Sequence, residues 1–165
     1  MTAVADLLVA PTKTDLPTLL NDRIVLLCAA AIQSRGIFTI ALSGGSLPSF
    51  LSTLKESFEK ARVNPEWTKW HVLLADERCV VSTDPDSNLG ALQNHMFSKL
   101  AIPRSQIHGI NEALLEESTD AVAKDYQVMV QRVLIQSGGL LDLAVLGFGP
   151  DGHTCSLFPG HELLQ

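Results

Sequence analysis

Apolar positions along this chain switch between two spacings, one helical and one unbroken. Leu16, Leu19, Leu20, Ile24, Leu27 and Ala31 recur every three or four residues and predict a helix. Thr14 or Asp15, in the turn from Pro11 to Asp15, offers its N-cap. Arg35 supplies a basic last turn and Gly36 a stop. Before it, Val4 to Val9 has the composition of a short first strand. Ile37 to Leu42 is a continuous β-branched and apolar run, as expected of a strand covered on both faces. Trp70 to Ala75 and Leu140 to Leu146 repeat that pattern. Between them, a helix is expected from Pro48, and Ser87 or Asn88 can cap another running to about Leu100. A further amphipathic helix is expected from Ser118 or Thr119 to near Gly138.

Strands that alternate with helices imply an α/β architecture with a mainly parallel sheet, here as one domain over residues 1–165. Each of the three apolar runs empties into a polar, glycine-containing or charged turn: "SGGS", "DERCVVSTDPDSN" and "GFGPDGHTCSLFP". Open parallel sheets gather ligands outside the carboxyl ends of their strands, so the three turns point to one shared site.

Composition sharpens this reading in three places. With 46% hydrophobic residues the chain can build a real core, and only 5% are aromatic, so that core is mostly aliphatic. A formal net charge of −6 opposes the broad positive field that nucleic acid or an anionic membrane requires, which excludes both as expected partners. A small anionic ligand needs only a local cradle of N–H groups and one or two cations. Three cysteines, Cys28, Cys79 and Cys155, lie far apart and outside metal-type spacing, which fits a reducing, cytoplasmic setting. The N-terminal stretch lacks a signal-peptide pattern, and no later segment is expected to span a membrane.

Each turn carries a functional reading beside a plain one. Ser43, Gly44, Gly45 and Ser46 form either a tight turn or a cradle whose backbone N–H groups face an anion. Asp76, Glu77 and Arg78 form either a solvated ion pair or a site for Arg78 to meet an anion or a developing oxyanion. Gly147, Gly149, Pro150 and Gly152 tighten the loop that carries His153, and an imidazole there suits proton transfer near neutral pH. Asp151, two residues earlier, is placed to orient that ring; a structural histidine is the plainer alternative. Asp151, His153, Cys155 and His161 mix O, N and S donors at irregular spacing and match no common metal site, so no metal is expected. His71 is expected in the core, and His95 and His108 on the surface or in packing. No G-x-S-x-G elbow offers a serine nucleophile, and neither Cys79 nor Cys155 has a basic partner in a sequence pattern that marks a nucleophile.

In order and spacing, "ALSGGSLPSFL", "LLADERCVV" with "DSN", and "DLAVLGFGPDGHTCSLFP" closely resemble the 6-phosphogluconolactonase family. The likeness runs from the first helix to Gln165. It implies a three-layer α/β sandwich with a Rossmann-like sheet, related to glucosamine-6-phosphate deaminases and ribose-5-phosphate isomerases. It also implies hydrolysis of 6-phospho-D-glucono-1,5-lactone to 6-phospho-D-gluconate in the oxidative pentose phosphate pathway, without a cofactor. Carried over by position, His153 is implied as the base that activates water, Asp151 as its orienting carboxylate and Arg78 as an oxyanion ligand. Ser43, Gly44, Gly45 and Ser46 correspond to the phosphate-side loop, and Asp76 and Asn88 complete the substrate-binding set.

Deaminase relatives share the D-G-H core but carry a glutamate where Phe158 stands here, which makes a glucosamine-6-phosphate deaminase the runner-up. Members of the family run well beyond the position of Gln165. The fold is therefore expected to be incomplete at its C-terminus, with apolar surface and a sheet edge exposed. On that view the 165-residue chain is loosely packed and weakly active, or an inactive sugar-phosphate-binding module.

Overall fold

The computed structural model describes residues 6–164. Its sheet has four strands, all parallel, in the order β3-β2-β1-β4. These are β1 (Phe38–Leu42), β2 (Trp70–Leu74), β3 (Ile107–His108) and β4 (Leu143–Val145). The helices are α1 (Leu16–Arg35), α2 (Leu47–Phe50), α3 (Leu54–Ala61), α4 (Asn88–His95) and α5 (Thr119–Gln136).

All five residues of β1 are buried, as its unbroken apolar run requires. Phe38, Ile40 and Leu42 face a core built with Ile24, Val25 and Cys28 of α1, Leu54 and Phe58 of α3, and Leu92 of α4. The alternate residue Ala41 joins Leu73 and Val133 in a smaller cluster under α5, so helices cover both faces in three layers. By length and hydropathy α1 does reach the dimensions of a membrane span, contrary to expectation. Its buried face of Ile24, Val25, Cys28, Ala31 and Ile32 accounts for that apolarity by packing into the core.

Local chemistry sets most element ends. Gly36 closes α1 in the left-handed region at φ 74°, donating its N–H to Ile32 O at 2.8 Å. Ser87 caps α4 and Ser118 caps α5, each accepting from the N–H three residues on. Asp15 precedes α1 without capping it, because its carboxylate accepts from Thr12 N and Thr12 Oγ1 instead.

Three expectations need correction. The helix from Pro48 is broken at Thr53 (φ −111°, ψ 18°), and the buried Asn21 of α1 donates to Phe50 O and Thr53 Oγ1 at the break. Helix α4 ends at His95, because Met96 leaves helical geometry and the short 3₁₀ turn Phe97–Lys99 follows, with Met96 and Phe97 both buried. Residues 6–9 form no strand, and Leu7, Leu8 and Val9 are exposed; Val4 and Ala5 of the expected first strand lie outside the described residues.

The last strand is also shorter than its apolar run. Asp142 is diverted to pin β4 to β1: its carboxylate accepts from Thr39 N and Thr39 Oγ1 at 2.8 and 2.9 Å and pairs with Arg35. Leu143 and Val145 are only half-buried and Ala144 is exposed, so β4 is not covered on both faces. Among the described residues β4 pairs with β1 alone, and its outer edge is open.

The strand order positions the site. From β1 the chain steps to β2 and β3 on one side, then returns through α5 to β4 on the other side of β1. Connections therefore diverge at the carboxyl ends of β1 and β4, the topological switch point where open parallel sheets leave a crevice.

Candidate active site

A cleft of about 680 Å³ occupies that crevice, within the range of small-molecule sites. Ser43, Gly44, Gly45 and Ser46 wall it after β1, Asp76 and Arg78 after β2, and Leu146 to Pro150 with His153 after β4. The strand ends are held in register by Ser43 N donating to Val145 O and Ala75 N to Leu42 O. All three turns singled out in the sequence therefore meet. Asp151 and Asn88 do not line the cleft but stand behind it.

The His153 loop is built by its own backbone. Gly149 N donates to His153 O at 2.8 Å, Gly152 N to Gly149 O at 3.0 Å, and Thr154 Oγ1 to Gly147 O at 2.9 Å. A Cβ on Gly149 would run into the imidazole, so glycine there is a condition of the ring's position. Asp151 Oδ1 lies 2.5 Å from His153 Nδ1, and this hydrogen bond holds the Asp151 carboxyl below the usual carboxylate range. With Nδ1 engaged, Nε2 is the nitrogen left for chemistry. The Phe158 ring packs on the imidazole with centroids 4.7 Å apart.

Arg78 is held from behind by its neighbours. Its Nη1 donates to Asn88 Oδ1 at 2.6 Å and to Asp86 O at 2.8 Å. Asn88, fully buried, turns its Nδ2 to Asp76 O at 2.9 Å. It also fills the space beside Gly44, where any Cβ would strike its carboxamide. Asp76 Oδ2 accepts from Ser156 Oγ at 2.7 Å, which joins the β2 and β4 loops. On the β1 side, Ser43 Oγ is buried without a hydrogen-bond partner.

Sequence reasoning passed over several residues here. Lys13 lines the mouth beside Leu16 and the Ser43–Ser46 loop, brought there by the turn that the Asp15 carboxylate ties to Thr12. Only proximity in space reveals it. Ser156 had a polar side chain inside a noted motif but no spacing that marks a role, and Glu77 was named only as a member of the charged turn. Cysteine chemistry is disfavoured, since burial and then the charge of Asp76 raise the Cys155 thiol above its ordinary value. Among the described residues no three His, Cys, Asp or Glu side chains converge as a metal site would.

The profile of the family described as glucosamine-6-phosphate isomerases/6-phosphogluconolactonase matches residues 11–165. The chain is 42% identical over 149 residues to the probable 6-phosphogluconolactonase 3, chloroplastic, of Oryza sativa subsp. indica, covering 84% of this chain and 44% of that protein. It is 42% identical over 144 residues to the probable 6-phosphogluconolactonase of Schizosaccharomyces pombe, covering 82% of this chain and 54% of that one. Among solved structures, the crystal structure of the devB protein superposes with a TM-score of 0.74 at 35% identity, over 93% of this chain and 62% of that one. The chain thus spans about half the length of these curated relatives. On its profile match and these identities, the chain belongs to the glucosamine-6-phosphate isomerase/6-phosphogluconolactonase family.

Proposed function

We propose that this cleft hydrolyses 6-phospho-D-glucono-1,5-lactone to 6-phospho-D-gluconate, the lactone-opening step of the oxidative pentose phosphate pathway. The observation that carries the reading is His153, seated on Asp151 at the wall of a cleft shared with Ser43–Ser46 and Arg78. His153 Nε2 takes a proton from water as the water oxygen bonds to C1, and the carbonyl electrons move to its oxygen. Arg78 and nearby N–H groups stabilise that oxyanion. The oxyanion then collapses, the bond from C1 to the ring oxygen breaks, and the protonated His153 returns its proton to the leaving oxygen. No covalent enzyme intermediate and no cofactor are needed.

The phosphate is placed against Ser43, Gly44, Gly45 and Ser46, where the unpartnered Ser43 hydroxyl is available and Lys13 supplies a cation. Asp76 contacts the sugar, whereas Asn88 serves by holding Arg78 and Asp76. Phe158 weighs against the deaminase alternative, because it puts an apolar ring on the imidazole where amino-sugar ring opening needs a further acid or base. The ligand class is a small phosphorylated sugar lactone, with neither nucleic acid nor membrane as partner. A cytoplasmic setting is part of the same proposal; the relatives include a rice protein named chloroplastic and a fission-yeast protein without that word.

The test is acid release from freshly made lactone by the 165-residue chain and its His153→Ala variant. Loss of turnover by roughly 10² to 10⁴, with 6-phosphogluconate binding retained, is expected of a general base. Hydrolysis at the spontaneous rate by the unmodified chain, with phosphogluconate still bound, would instead identify a binding module.

A further inference from the structure

Glu77 lies in the middle of the "DER" turn, yet it does not line the cleft. Its carboxylate is the most heavily used acceptor near the site. Oε1 accepts from Asn88 N at 2.7 Å and from Arg78 N at 2.9 Å. Oε2 accepts from Leu89 N at 2.8 Å and from Ser87 Oγ at 3.2 Å. Two of these donors are first-turn N–H groups of α4, which have no partner within the helix, and a negative charge there is favoured by the helix dipole. A third is the backbone N–H of Arg78 itself.

The consequence reaches the cleft through Asn88. Residue 88 is the first residue of α4, and its side chain receives the Arg78 guanidinium and donates to Asp76. The position of the α4 N-terminus therefore sets where Arg78 points. The loop between Arg78 and Ser87 folds closely over that helix end, so closely that a Cβ on Gly90 would strike the Ser82 carbonyl. Among the described residues, Glu77 is the one side chain that bonds both to the backbone of Arg78 and to the helix start that holds its guanidinium.

We propose that Glu77 is the positioning residue for Arg78, clamping the start of α4 so that Asn88 presents the guanidinium to the oxyanion in the cleft. This rests on the lactonase reading for what Arg78 does, though not for how it is held. Both carboxylate oxygens accept, so the isosteric amide cannot replace them: in Glu77→Gln one side of the group becomes a donor facing N–H and O–H donors.

Two measurements on the full 165-residue chain test it. The first is NMR of the Asn88 carboxamide and the Arg78 guanidinium. The buried Asn88 carboxamide is expected to exchange slowly with solvent in the unmodified protein and about tenfold or more faster in Glu77→Gln, and the resonances of the exposed Arg78 guanidinium are expected to shift with it. Unchanged protection of Asn88 together with unchanged Arg78 resonances would overturn the proposal. The second is a double-mutant cycle on kcat for lactone hydrolysis. Glu77→Gln should lower kcat on the order of tenfold in the unmodified background and change it little beside Arg78→Ala. An equal loss in both backgrounds would show that Glu77 acts on the fold alone. Should Glu77→Gln fail to fold, Glu77→Asp keeps the charge but draws the carboxylate back by one methylene from its donors, and serves in the same two measurements. Loosened Asn88 and Arg78 signals in a chain that never hydrolyses the lactone would support the positioning role and reject the lactonase reading.

Discussion

Ser156 Oγ donates to Asp76 Oδ2 across 2.7 Å, and this is a side-chain bridge between the loop that follows β2 and the loop that carries His153. Both groups are accessible, so the bond contributes little to overall stability, but it fixes the spacing between the imidazole and the Asp76–Asn88–Arg78 cluster. Ser156→Ala is expected to lower kcat for lactone hydrolysis roughly threefold to tenfold while leaving the melting temperature nearly unchanged. Steady-state kinetics beside a thermal melt decides it. A large drop in melting temperature with normal kcat would assign the bridge to folding.

Gly149 supplies a prediction of the opposite kind, in which space rather than a bond is removed. Its amide holds the His153 carbonyl while its missing side chain leaves room for the ring. Gly149→Ala places a methyl where the imidazole sits, so the ring must rotate away from Asp151 or the loop must open. Turnover is expected to approach that of His153→Ala, and the His153 ring signals in an NMR spectrum should shift. A fully active Gly149→Ala protein would show that the imidazole does not work from this position.

Lys13 tests the phosphate end separately. If its ammonium faces the substrate phosphate, Lys13→Ala should raise KM for the phosphorylated lactone about tenfold with little change in kcat. The unphosphorylated gluconolactone should be indifferent to the change. Equal effects on both lactones would remove Lys13 from the phosphate site.

How much of this was legible in the sequence follows from where the information resides. The strands β1 and β2 and their turns were legible because burial on both faces writes an unbroken apolar run, and the chemistry sits at the strand ends. Capping serines announced α4 and α5 in the same local way. Strand β3 was not legible: two residues long, it exists only through the pairing of Ile107 and His108 with Val72 and Leu73. The break at Thr53 depends on Asn21, about thirty residues away, and the truncation of β4 on Asp142 reaching Thr39. In the site, His153 and Arg78 stood out by type and placement, whereas Glu77 and Lys13 gain meaning only from donors and walls that the fold supplies. Among the described residues the outer edge of β4 is unpaired, and Leu140, Leu141 and Leu146 are exposed.

The pairing of His71 with His108 leads to a prediction about pH. Expected in the core, His71 is only half-buried in β2, where it packs on the half-buried His108: the rings stack with planes 7° apart and Nδ1 of His71 lies 3.0 Å from Nε2 of His108. One of these nitrogens must donate and the other accept, so at least one of the two rings is neutral in this arrangement. Burial, and next the charge that His71 would carry, lower His108 to about 4; burial also lowers His71. A histidine depressed below its unfolded value of 6.5 contributes stability that is fully present above pH 6.5, because the unfolded chain binds the proton more readily than the folded one. That contribution falls as pH drops from 6.5 and is lost as pH passes about 4. His108→Gln removes the titration while keeping a polar side chain. Urea unfolding of both proteins from pH 7.5 to 4 should therefore give a stability difference that shifts steadily in favour of the variant below pH 6.5. Carboxylates titrating in the same range cancel between the two proteins. A difference that stays constant across this window would mean that the pair is not neutral in the folded state.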